Sequence, residues 1–379
     1  MKTRLIAGIG IIAVMVAFQA AMASTFHLGF GDFGSFYTAA RMAATGRLAD
    51  LHNETAQASV EAPYIPRGWH PIYCVRLQAW AAALLPFGLL PFKASFIAWL
   101  VVQGLILIAG WVWAARRFGI DAGVLASMFL PALLGIVFGQ DPAFWFGFVL
   151  LSWVLHERGK PFGAGLCLGA CIVKPQIVFL VPVALIVQRR WRMLAGFVGG
   201  CIGVAGASML LGPGWQTLPR YAAFLGRVSA AGAMGLRHER EMDVSAILIS
   251  AGLPIVLRFA LMALAGFALL LACHRSGWEA GLPAAMLAAF LIAPHTETYD
   301  TTCLMVAGWL LVFSGRSWPV RTLAALFFTP IPWLVQLLDA PWTGIPALLL
   351  FGMLLALAWE RWRADVPAPA PLPVQLNPA

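Results

Sequence analysis

Residues 138–191 read FGQDPAFWFGFVLLSWVLHERGKPFGAGLCLGACIVKPQIVFLVPVALIVQRRW. Apolar side chains fill this stretch in long runs without the alternation of a β-strand, which predicts helices in hydrocarbon and excludes an outer-membrane barrel. Charges interrupt it at few places. Arg158 and Lys160 stand in one basic turn, and Arg189, Arg190 and Arg192 in the next. Short loops rich in Arg and Lys mark the cytoplasmic side of a membrane protein. The chain between these turns therefore leaves the cytoplasmic face and returns to it, which puts Lys174 at the outer end of a short span.

The pattern continues in both directions. Of 379 residues, 61% are hydrophobic and 11% charged, against roughly a quarter charged in a soluble domain. Apolar runs able to cross about 30 Å of hydrocarbon predict an all-α, polytopic membrane helix bundle of about 12 transmembrane helices. They lie near residues 4–24, 94–114, 121–138, 142–157, 162–173, 175–188, 193–211, 254–273, 279–293, 298–314, 319–337 and 344–361. The runs beginning at 142, 162, 175 and 279 are short and predict broken or tilted helices. The run 71–90 contains Arg76 and several prolines, and is read as re-entrant or interfacial. Were it a full span, every later basic cluster, from Arg116 and Arg117 to Arg361 and Arg363, would face outward, against the positive-inside rule.

One domain, 1–364, is expected: a first anchor at 4–24, an outer loop at 25–93 with interfacial helices, and a helix bundle over 94–364. A second long outer segment covers 212–253. Residues 365–379 form a Pro-rich cytoplasmic tail with the composition of disorder. Lys2, Arg4, an apolar stretch and Ala21-Met22-Ala23 also have the form of a cleaved signal peptide, and either way residue 25 emerges outside. The expected location is a bacterial inner (plasma) membrane with the polar face extracytoplasmic and both termini cytoplasmic, the N-terminus lying outside if the first segment is cleaved. The net charge of +9 follows topology rather than one basic patch, so no nucleic-acid partner is expected. Five of the six cysteines lie inside apolar runs and none forms a C-x-x-C pair, which predicts small core residues, not a disulfide framework or metal site.

The candidate chemistry gathers at the outer ends of the predicted spans. Asp32, in GDFGSFY, is either the N-cap of a helix starting near Ser35 or a general base at the membrane surface. Lys174, in CIVKPQIVF, sits where Pro175 interrupts the helix. A lysine at membrane depth is costly and points to function, the plain alternative being a side chain that snorkels to the interface. Gln176 either adds a hydrogen bond there or caps the break. Gln140 and Asp141 end another outward run, and His295, Glu297, Tyr299 and Asp300 fill the turn APHTETYD. Each group alone is ordinary loop polarity, but all reach one face. His295 with a neighbouring acid lacks zinc-ligand spacing and reads better as a hydrogen-bond donor to a phosphate. Arg237, in the cluster Arg237–Asp243, is a solvated loop residue or a contact to an anionic head group or acceptor. His70 and Arg76 either touch substrate or, with Trp69, anchor the interfacial run. No Walker loop, nucleophile elbow or haem pair is present.

In order, these features resemble glycosyltransferase family 87, polytopic enzymes of the GT-C class similar to polyprenyl-phosphate-mannose-dependent mannosyltransferases. The resemblance runs over roughly residues 5–315. It is most specific in the stretch quoted first, with its GQ-containing helix, G-rich helix, K-P element and basic turn; GDFGSFYTAARMAATGRL, HPIY and LLPF resemble the first outer loop. It implies an inverting transfer of a hexose, mannose by this likeness, from a polyprenyl phosphate sugar donor to a hydroxyl of a glycolipid or glycan acceptor, with membrane lipid around the site. Asp32 would be the base, and Lys174 and His295 would contact the donor phosphate. Trp69-His70-Pro71 replaces an aromatic-Pro-Pro element, and Asp141 stands where Asn often follows GQ. Asp32 stands alone where GT-C enzymes often carry a D-D or E-x-D metal motif, so a metal-independent reaction without cofactors is expected. A secondary transporter or flippase of a lipid-linked or anionic substrate is the rival reading, since broken helices also build transport sites; a non-enzymatic scaffold is a third.

Overall fold

The computed structural model describes residues 32–65, 70–230, 241–336 and 342–365. The first predicted anchor (4–24), Trp69, Arg237 and the tail beyond 365 lie outside the described residues. Every regular element described is helical: α1 Phe33–Ala44, α2 Glu54–Glu61, α3 Gln78–Ala83, α4 Leu85–Gly88, α5 Phe92–Phe118, α6 Ile120–Ser127, α7 Leu130–Val137, α8 Pro142–Glu157, α9 Pro161–Ala170, α10 Val181–Val187, α11 Trp191–Leu211, α12 Thr217–Ala230, α13 Val244–Ser250, α14 Arg258–Cys273, α15 Trp278–Ile292, α16 Met305–Phe313, α17 Trp318–Phe328, α18 Ile331–Val335 and α19 Ile345–Asp365.

The chain forms a membrane helix bundle. Among the described residues, four helices are long and apolar enough to cross a membrane: Phe92–Phe118, Trp191–Leu211, Ile255–Cys273 and Ile345–Ala364. The pair α6 and α7, bent by 47°, makes a fifth if it counts as one span. The other predicted spans among the described residues are helices of fewer residues, and several are interrupted at prolines, which remove a backbone donor and clash with the preceding turn. Pro131 starts α7, Pro175 separates α9 from α10, and Pro330 separates α17 from α18. The run 71–90 is no continuous helix either, since an irregular stretch from His70 leads into the short α3 and α4.

Helix α15 is the core. All its residues are buried except Glu279 and Ile292, and it packs against α10, α14, α16 and α19. A helix that is apolar all round belongs at the centre. Outer members such as α11 and α14 expose Val198, Ile202, Phe259 and Phe267 instead, as a lipid-facing surface requires.

The segment 161–187 is a hairpin of two half-helices with Lys174 at its apex. Helix α9 runs parallel to α11 in very close contact. A Cβ on Gly165 or Gly169 would strike the carbonyls of Met193 or Phe197, and one on Gly196 or Gly200 those of Phe162 or Leu166. Both helices thus present a small-x-x-x-small stripe to each other, as backbones do when they approach in lipid. The return half, α10, lies on α15. Gln188 Nε2 donates to Ser276 Oγ (3.0 Å) and the Gly277 carbonyl (3.1 Å) at the basic end of the bundle. The apex is thereby carried to the opposite end, where α15 finishes and the turn holding His295 begins.

Candidate active site

Asp32 occupies the N-cap position of α1. Its side chain makes no capping bond to the helix. Ser35 is held instead by the Asp32 carbonyl, through N (3.1 Å) and Oγ (2.7 Å). The carboxylate is left for another element: Gln140 Nε2 donates to Asp32 Oδ2 at 2.5 Å. Two further bonds fix this match. Asp32 N–H donates to the Phe138 carbonyl (3.1 Å), and Trp99 Nε1 to the Gly139 carbonyl (3.1 Å). Gly139 has φ +68°, and a Cβ there would come within 2.7 Å of the Phe33 Cβ, so glycine is needed where the two turns meet.

Behind Asp32 lies a chain of alternating charges from four parts of the sequence. Arg76, from the irregular stretch before α3, grips Asp141 with Nε on Oδ2 (3.2 Å) and Nη2 on Oδ1 (3.3 Å). Asp141 also lies 3.6 Å from Lys174 Nζ, which in turn binds Asp300 Oδ1. The ammonium stands 5.6 Å from the centre of the Tyr299 ring. Asp141 and Asp300 are fully buried and the Lys174 side chain is 3% exposed. Arg76, Asp141, Asp300 and Lys174 were expected to meet substrate; in this structure their charged groups meet one another, because removing any of them from water demands an opposite charge.

The turn after α15 is organised by a capping box. The Asp300 side chain accepts from Glu297 N–H (3.2 Å) while the Glu297 side chain accepts from Asp300 N–H. The same arrangement that starts the turn Thr298–Leu304 therefore aims Asp300 at Lys174. His295 Nδ1 lies 3.5 Å from Glu241 Oε1, and the Met242 N–H bonds to the Thr296 carbonyl (2.9 Å), tying the segment before α13 to this turn. The His295 side chain remains 25% exposed.

These surroundings set the charges. Burial raises the Asp32 carboxyl above its ordinary value, against the lowering effects of the Gln140 hydrogen bond, Lys174 and Arg76. Burial also raises Glu297, to about 7. Burial alone would lower His295, but the hydrogen bond and charge of Glu241, with Asp300 and Glu297, raise it overall. Burial thus raises the proton affinity of the Asp32 carboxylate, and the surrounding acids raise that of the His295 imidazole.

Gln176, after the apex, is half-buried, and His70 is exposed; neither has a hydrogen bond or ion pair to the cluster. Sequence reasoning missed Glu241 as the partner of His295, Trp99 as the clamp on Gly139, and His52, whose Nε2 lies 3.0 Å from the Arg76 carbonyl. Only the S/T/D/E-x-x-D/E spacing of Glu297 and Asp300 carried a readable signal, that of a capping box. Among the described residues no three His, Cys, Asp or Glu side chains come close enough together to hold a metal ion.

No curated protein and no solved structure matches the chain. The model of glycosyltransferase family 87 matches residues 79–294, more than half of its length. The match includes Gln140, Asp141 and Lys174, while Asp32, Arg76 and Asp300 join them only through the contacts above, and His295 lies beyond it, five residues before Asp300. With that match, the chain belongs to glycosyltransferase family 87.

Proposed function

We propose that this protein is an inverting hexosyltransferase that takes its sugar, mannose by resemblance, from a polyprenyl phosphate donor on the non-cytoplasmic face. The acceptor is a hydroxyl of a glycolipid or glycan. The acceptor oxygen attacks the anomeric carbon as the bond from that carbon to the phosphate oxygen breaks. The phosphate leaves with the bonding electrons and Asp32 takes the hydroxyl proton. The observation that carries this reading is the Asp32 carboxylate itself, free of any capping duty and oriented by Gln140 from another element.

The leaving phosphate already bears charge and calls for cationic or hydrogen-bond stabilisation rather than a strong acid. His295, partly exposed and with raised affinity for a proton, supplies it. A metal ion and a soluble nucleotide sugar are then unnecessary. Membership of a glycosyltransferase family favours group transfer over the transporter reading.

The test supplies radiolabelled polyprenyl phosphate hexose and extracted membrane glycolipid to purified protein. Loss of a general base typically costs about 10²–10⁴ in rate, so Asp32→Asn loses at least a hundredfold in transfer. Undiminished transfer by that variant removes Asp32 from the role. Reaction of cysteines placed at His70 and His295 with a membrane-impermeant thiol reagent in intact cells tests the proposed face, and protection of both refutes it.

A further inference from the structure

We infer that Lys174 is a positioning residue that holds the Gln140–Asp141 turn, and through it Asp32, in register, and that it does not bind the donor phosphate. This inference rests on the reading of Asp32 as the base. The geometry forms a chain of contacts. Lys174 Nζ is bound to Asp300 and lies 3.6 Å from Asp141 Oδ1, with Tyr299 covering it. Asp141 is covalently next to Gln140, whose amide holds Asp32 Oδ2. Asp300 is itself anchored by the capping box with Glu297, so the ammonium is pinned between a fixed turn and the turn that orients the base.

Two features argue against a phosphate ligand. Lys174 is almost wholly buried and already faces two carboxylates that are themselves sealed from solvent. An incoming phosphate would have to displace Asp300, leaving that buried carboxylate without its cation, or else add a third anion beside Asp141 and Asp300, both strongly unfavourable. The apex is also mechanically set from behind, by the close contact of α9 and α11 on one side and of α10 and α15 on the other. Asp32 is surrounded electrostatically by Lys174, Arg76 and Asp141, and by Glu297 and Tyr299 from the turn after α15.

The experiment compares Lys174→Met with the double variant Lys174→Met/Asp300→Asn, in which the buried partner charge is removed as well. A displacement of the base by about 1 Å can cost on the order of 100-fold. Lys174→Met is expected to lose roughly that factor in kcat, with the donor KM changed by less than about threefold, and its acid limb moves to higher pH because a cation near Asp32 is gone. The double variant recovers at least about tenfold of the lost kcat, since paired charges couple. A donor KM raised tenfold or more in either variant, with kcat preserved and no recovery in the double, assigns Lys174 to the phosphate and overturns the inference. Should Lys174→Met fail to fold, the double variant, free of the orphaned carboxylate, carries the same KM and kcat comparison. Failure of the base reading is distinguishable, because it appears as full activity in Asp32→Asn.

Discussion

The glycine stripe between α9 and α11 makes the sharpest structural prediction. Gly200 and Gly203 lie three residues apart on α11. A Cβ at Gly200 meets the Leu166 carbonyl oxygen at 2.5 Å, the Gly169 Cα at 2.9 Å and the Ala170 N at 3.0 Å, all of them backbone; one at Gly203 meets nothing within 4 Å. Ordinary contact begins near 3.4 Å, so alanine at 200 must push the two helices apart by about 0.9 Å. Overpacking of this kind costs about 1–3 kcal/mol. Both substitutions gain the same helix propensity, about 1 kcal/mol, so the difference between them isolates the clash. At about 1–2 °C per kcal/mol for a chain of this length, Gly200→Ala is expected to melt roughly 1–6 °C below Gly203→Ala, by scanning fluorimetry in one detergent. Because α9 leads directly to Lys174, transfer should fall with Gly200→Ala and hold with Gly203→Ala. Equal melting temperatures would refute the parallel, backbone-to-backbone packing of α9 on α11 and with it the placement of the apex.

Further outcomes follow from the buried charges. Arg76→Met leaves Asp141 short of its bidentate partner and should destabilise the protein by about 3–5 kcal/mol, whereas Arg76→Met/Asp141→Leu recovers most of that loss in a thermal scan. A second outcome concerns pH. Burial foremost raises Asp32 above its unfolded value near 3.8, so the folded state binds that proton more tightly and stability from this group falls as pH rises from about 3.8 through the raised folded value. At pH 7, well above the unfolded value, this titrating group is therefore destabilising relative to a neutral amide, and Asp32→Asn should melt at or above the parent while losing transfer. The gap should close below pH 4, and a variant less stable than the parent at pH 7 would contradict the assigned burial. Transfer itself should show an acid limb above pH 3.8, since the base must be ionised to act.

What the sequence determined by itself was set by forces that act on single segments. Hydrocarbon selects for apolar composition and the cytoplasmic side for Arg and Lys, so the helical membrane class and the turn at Lys174 could both be read along the chain. Most helices formed where apolar runs predicted them, among them α5, α8, α11, α14 and α19. The lengths of the shorter helices depended on proline breaks and on burial, which periodicity alone does not resolve. The site divides in the same way. Composition and order gathered Asp32, Gln140, Asp141, Lys174, His295 and Asp300 as candidates. Only the tertiary structure decided that Gln140 takes Asp32 across 108 residues, that Asp141 takes Arg76 across 65, and that Asp300 takes Lys174 across 126. Which carboxylate a buried cation meets depends on helix separations that a single Cβ would change, and no local preference encodes that distance.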